Sequence, residues 1–120
     1  MPDEGGHPDI DEMEIGTIFA ALADPIRRKV VLALAVDRDC IRHCSAFDLP
    51  VTKATRTHHF RVLRESGLIR QVDLGNSRTN QLRWRDLEYR FPDLLRLLTK
   101  EASAGNQKPK QDEMPSLIQT

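Results

Sequence analysis

Three features of this 120-residue chain predict a mainly helical α+β domain of about five helices plus a two-stranded β-hairpin. Apolar residues recur at helical spacing in the first third, a capped helical stretch occupies residues 53–66, and an alternating segment around Gly-Asn-Ser follows it directly. With 39% hydrophobic residues, the chain holds one small core. Two cysteines cannot build a disulfide scaffold, so apolar burial must hold the fold. No run approaches the roughly 18–20 apolar residues that cross a bilayer. The start MPDEGG also lacks the basic and apolar regions of a signal peptide, so a cytoplasmic protein without a membrane partner is expected.

The elements follow in order. Residues 1–9 carry Gly and Pro among acids and read as a disordered acidic arm; residues 101–120 read as a flexible polar tail, leaving 10–100 as the folded domain. Ile15, Ile18, Phe19 and Leu22 form an amphipathic stripe that ends near Ala23. Asp24-Pro25 then starts a second helix, with Asp24 as cap and Pro25 at the first position, where its missing N–H costs nothing. Its apolar stripe is Ile26, Val30, Ala33 and Leu34, and Arg27, Arg28 and Lys29 are expected on its outer face. CIRHCSAFDL is either a short third helix or an irregular turn, closed by Pro50. Thr52 caps a helix from Lys53 to Ser66, and Gly67 is its left-handed terminator. Leu68 to Trp84 alternates partially around Gly75-Asn76-Ser77, a hairpin with Arg78 near its tip. Asp86 caps a short turn, and Pro92 opens a last helix, PDLLRLLTK, whose Leu94, Leu95, Leu97 and Leu98 exceed what one side buries within the chain. That surplus points to a partner helix.

Eighteen bases balance eighteen acids, but unevenly. Residues 1–24 hold seven acids and no Lys or Arg, whereas residues 51–90 hold nine bases against four acids. The centre of the chain is therefore basic. On helix 53–66, Lys53, Thr57, His58 and Arg61 lie away from the apolar side with His59, Phe60 and Leu63, and His59 reads as a core or capping residue. Short hydroxyls and basic groups suit phosphates, and Lys, Arg and His also hydrogen-bond base edges in a major groove. A helix of this kind followed by a basic hairpin is the winged helix-turn-helix order.

The strings ALADPIRRKVV, KATRTHHFRVLRESGLI, the GNSR hairpin and DLEYRFPDLL together resemble the ArsR/SmtB family of bacterial winged-helix repressors over roughly residues 14–100. The resemblance implies a homodimer joined by its first and last helices, here through Ile15, Ile18, Phe19, Leu94, Leu95 and Leu98, and binding to palindromic double-stranded operator DNA. It also implies that helix 53–66 is the recognition helix and the hairpin the wing. Lys53, Thr57, His58 and Arg61 match outward recognition positions and Arg78 the wing tip; Thr52 and Thr55 at the helix start are further contact candidates. Position 56 is usually apolar in the family but is Arg56 here, whose stem can pack while its guanidinium reaches a phosphate.

The family's usual sensor patterns, a Cys-x-Cys pair or Asp and His ligands on the last helix, are missing from the sequence. Cys40 and Cys44 are four apart; were that stretch helical they would lie about 6 Å apart at Cα, on one face, with His43 beside them. Three readings stay open: a dithiol redox switch, a metal or metalloid site completed by His43 or the other subunit, or cysteines with no sensing role. No cofactor is required by the sequence. Catalysis is not expected, since no nucleophile, base and orienting group occur at recognisable spacing and no Gly-rich phosphate loop is present. The alternative function is a winged-helix protein-interaction module without specific DNA binding, which neutral net charge favours.

Overall fold

The computed structural model describes residues 1–106. Five helices, α1 (Ile15–Ala23), α2 (Pro25–Leu34), α3 (Lys53–Ser66), α4 (Trp84–Arg90) and α5 (Pro92–Asn106), surround a small antiparallel sheet. Its strands β1 (Arg42–His43), β2 (Ile69–Asp73) and β3 (Arg78–Leu82) lie in the order β1-β3-β2. The core joins Ile18 of α1, Val30, Val31 and Leu34 of α2, Phe60 and Leu63 of α3, Ile69 and Leu82 of the hairpin, and Leu87, Leu95 and Leu98 of the last two helices. Among the described residues no helix is long and apolar enough to cross a membrane.

The local signals act as chemistry requires. Asp24 Oδ1 accepts from the amides of Ile26 (2.8 Å) and Arg27 (3.2 Å), so α2 starts where α1 ends. Burial pushes the Asp24 carboxyl up, but the Arg27 and Ile26 amides outweigh it and hold the group below the ordinary carboxylate value. Thr52 Oγ1 accepts from the Thr55 amide at 3.2 Å, and Gly67 ends α3 at φ +90°. Ser66 Oγ donates to Leu63 O (2.7 Å) and accepts from Leu68 N (3.2 Å), closing the orphaned groups of the α3-to-β2 turn. In the hairpin, Gly75 at φ +94° and the Asp73 carboxylate, which accepts its amide at 2.8 Å, make the turn between Asp73 and Arg78.

Several expectations are corrected. The hairpin has a third strand, because Arg42 and His43 pair with Asn80 and Thr79 and cover the other edge of β3. The Cys40–Cys44 stretch is therefore extended chain ending in a single 3-10 turn at Cys44–Ala46, not a helix. Trp84 begins α4 instead of ending a strand, and Asp86 pairs with Arg83 (2.9 Å). Arg28 and Lys29 are exposed on α2 as expected, whereas Arg27 is half-buried. Arg27 donates to Ala21 O (2.8 Å) and Ala20 O (3.3 Å), and Arg28 to Leu22 O (3.0 Å) and Ala23 O (3.3 Å), so both cap the C-terminal carbonyls of α1.

The ends differ too. Helix α5 runs to Asn106 because Ala102 continues the buried stripe of Leu95 and Leu98; the rest of the expected tail, 107–120, lies outside the described residues. Residues 1–9, expected as a free arm, are folded back on the body: His7 is buried, Arg83 donates to Pro8 O at 2.8 Å, and Arg90 donates to Ile10 O. Met13 is buried against Gly67.

A Cβ at position 67 would lie 2.8 Å from Met13 Cγ, on a backbone that L-residues avoid. Gly67→Ala should therefore lower unfolding free energy by about 2 kcal/mol or more, from left-handed strain plus overpacking. Urea denaturation measures this as a lower midpoint at unchanged slope.

Candidate nucleic-acid interface

Helix α3 and the hairpin meet along a groove of about 280 Å³ lined by Lys53, Arg56, Thr57, Phe60, Gln71, Arg78 and Cys44. Lys53, Arg56, Thr57 and Phe60 fall at helical offsets 0, 3, 4 and 7, so one side of α3 supplies all four. Phe60 is the apolar floor. It packs on Phe47 with ring centroids 5.6 Å apart, and the Arg42 guanidinium sits over Phe47 at 4.7 Å. Arg78, opposite Asp73 in the ladder, brings a cation to the groove from β3; its 3.9 Å pair with Asp73 is exposed and weak.

The eight residues expected to contact DNA divide into three sets. Lys53, Arg56, Thr57 and Arg78 share the groove, with Arg56 half-buried there as its long stem allows. His58 and Arg61 are exposed on the adjoining side of α3, where Arg61 Nε lies 3.3 Å from Glu65. Thr52 and Thr55 stand at the helix start, the Thr52 hydroxyl being engaged in the cap and in a 3.0 Å bond to Thr55 Oγ1. His59 points inward: it is buried, and its Nδ1 lies 3.2 Å from Arg27 Nη1. A guanidinium only donates, so Nδ1 accepts, and the contact ties α3 to the α1–α2 corner.

Behind the groove runs a buried polar network that sequence reasoning missed. Asn80, fully buried, donates to Arg42 O (3.1 Å) and Cys44 Sγ (3.2 Å) and accepts from Gln71 Nε2 (3.0 Å). Gln71 Nε2 also approaches Cys44 Sγ at 3.3 Å, and Gln71 Oε1 accepts from Arg64 Nη1 at 2.6 Å. Arg64 is thus a structural strut between α3 and β2. Strand alternation, with Gln71 two after buried Ile69, was the available signal for this inward pair.

The candidate sensor residues are not gathered into one site. Cys40 Sγ donates to Ala33 O at 3.7 Å at the end of α2, whereas Cys44 contacts Gln71 and Asn80. His43 is exposed opposite Thr79. Among the described residues no group of three or more His, Cys, Asp or Glu is placed to hold a metal ion.

Of the residues expected at a dimer interface, Ile18, Leu95 and Leu98 are buried in the chain's own core, and Leu94 is partly buried. Helical periodicity identifies an apolar face but not which half of it the chain itself covers. Phe19 (57% exposed), Leu97 (54%) and Ile15 (40%) are the large apolar residues that α1 and α5 leave uncovered.

This architecture has known counterparts. The fold is similar to that of an ArsR family transcriptional regulator solved by crystallography. The two share 26% identity at a TM-score of 0.56, over 77% of this chain and 96% of that one. An ArsR-like transcriptional regulator from Rhodococcus sp. RHA1 also matches, at 23% identity and a TM-score of 0.48, over 80% of this chain and 92% of that one. No protein-family model and no curated protein sequence matches the chain.

Replacing Asn80 by Ala removes one hydrogen-bond partner each from the Arg42 carbonyl, Gln71 and Cys44. The expected loss is about 2 kcal/mol of stability, the cost of buried groups losing a partner. Thermal unfolding monitored by circular dichroism checks it.

Proposed function

We propose that the protein is a homodimeric, sequence-specific DNA-binding transcriptional regulator of the ArsR type, acting as a repressor on a palindromic operator. The observation that carries this reading is the convergence of Lys53, Arg56 and Thr57 of α3 with Arg78 of the hairpin on one groove, next to exposed His58 and Arg61. In this reading α3 enters the major groove as the recognition helix of a winged helix-turn-helix, Lys53, His58 and Arg61 reach base edges or phosphates, and Arg78 holds the flanking backbone. The exposed Arg61–Glu65 pair is weak enough to exchange for a phosphate. Likeness to the ArsR family regulator supports the same assignment. Ile15, Phe19 and Leu97 are the apolar side chains left for a second copy across α1 and α5.

A thiol-linked release is assigned to Cys44 alone, because it lines the groove and contacts both Gln71 and Asn80. A bulky adduct there displaces the groove wall without needing Cys40.

Binding to duplex carrying the protein's own upstream DNA should weaken with salt. Lys53→Ala and Arg78→Ala should each reduce the log–log salt slope by about one unit. An interaction module without DNA binding predicts no specific electrophoretic shift and no such slope. For the thiol, oxidised glutathione, which leaves one glutathione on Cys44 as a mixed disulfide and gives off the other as thiol, should release DNA from the parent and from Cys40→Ser but not from Cys44→Ser. Equal release from all three would reject the assignment.

A further inference from the structure

Strand β2 is an outer strand of the sheet, so the amides on its far side have no strand partner. One of them, Gln71 N–H, donates to Nε2 of His7 at 3.0 Å. A ring nitrogen that accepts from an amide carries no proton, so the proton of neutral His7 sits on Nδ1, 3.0 Å from both carboxylate oxygens of Asp3. Asp3 Oδ1 also accepts the amides of Gly5 and His7, each at 2.9 Å, and Asp3 N donates to His7 O at 2.9 Å. The arm is thus closed on itself around a buried imidazole plugged into the edge of β2.

Charged groups face this latch from each element beside it. Asp3 and Glu4 come from the arm, Arg64 and Glu65 from α3, Arg70 and Asp73 from β2, and Arg78 from β3. Asp3 lies 3.9 Å from Arg70, and Glu4, His7, Arg64, Asp73 and Arg78 line one depression. Gly6, at φ +88°, lies beside Arg64 Nε and the Glu65 side chain.

We propose that the acidic arm is a proton-gated cover over the basic edge of the hairpin. Docked through neutral His7, it holds Asp3 beside Arg70 and Glu4 in the depression that Arg78 lines; protonation of His7 releases it and gives that edge to DNA phosphates. This rests on the DNA-binding reading above and adds a regulator to it. A proton on Nε2 would face the Gln71 N–H, turning a hydrogen bond into an opposition of two donors. Burial first, then the Arg70 and Arg64 charges, lowers His7 from its ordinary value of 6.5, against the opposing pull of Asp3. The docked arm therefore binds fewer protons than the free arm. Docking is at full strength above 6.5 and is lost as pH falls through the lowered value. Asp3, held below its ordinary value chiefly by the His7 amide, stays ionised through that window.

Two readouts on the full chain test the cover between about pH 8 and about pH 5.5. The amide-exchange protection factor of Gln71, measured by NMR, follows the latch without DNA. Affinity for an upstream duplex at fixed ionic strength follows its consequence. Acidification should lower Gln71 protection and raise affinity severalfold in the parent. His7→Gln, whose amide oxygen still accepts from Gln71 but does not titrate, should keep protection and lose that share of the affinity change. His7→Ala should bind more tightly than the parent already at the upper pH. Protection that does not fall in the parent, or an affinity profile shared by parent and His7→Gln, overturns the cover. A latch that opens in a chain binding no duplex at any pH overturns the DNA-binding reading and the cover with it, a result distinct from unchanged affinity.

Discussion

The turn from α3 into β2 is the constraint on which the rest of the structure depends. Gly67 takes a backbone conformation that places no Cβ in the space of Met13, and Ser66 satisfies the groups that the ending helix orphans on either side. Two residues therefore separate the last turn of α3 from the first strand pair, and the Arg83 amide locks the return strand by donating to Leu68 O at 2.9 Å. So short and closed a junction fixes the angle between helix and hairpin. The groove holding Lys53, Arg56, Thr57 and Arg78 is a consequence of that angle.

Where short-range chemistry decides the backbone, the sequence was legible. Asp24-Pro25, Thr52 and Gly67 act at the positions expected, and α3 spans Lys53 to Ser66 as read from its caps. Where tertiary contacts decide, it was not. Cys40 to Ala46 carries no strong propensity and takes its strand from the unpaired side of β3. Ala102 hid the continuation of α5 because Ser103, Ala104 and Gly105 around it look like tail. Ile18, Leu95 and Leu98 share a periodic stripe with residues left exposed, and periodicity cannot divide one from the other. Of the candidate site, the residue types on α3 and the hairpin were readable in advance. The Arg64–Gln71–Asn80–Cys44 network behind them was not, since polar residues facing a core look like surface until a partner strand arrives.

Net charge zero conceals a spatial arrangement as well as a linear one. The acidic N-terminal segment does not stand apart from the basic centre. Asp3 approaches Arg70, while Arg83 and Arg90 hold the carbonyls of Pro8 and Ile10. Acids from the start of the chain thus sit along the β2 side of the hairpin, and the outer face of α3 keeps its cations exposed. Neutral composition and a basic working face coexist for that reason.

The central claim is that α3 and the hairpin tip act together on one duplex. An NMR titration of the full chain with upstream duplex DNA tests it most directly, by the amide signals that move. The account predicts shifts concentrated in residues 52–61 and 74–78, with the α1 and α5 signals unmoved. Shifts confined to α1 and α5, or to the hairpin without α3, would contradict it.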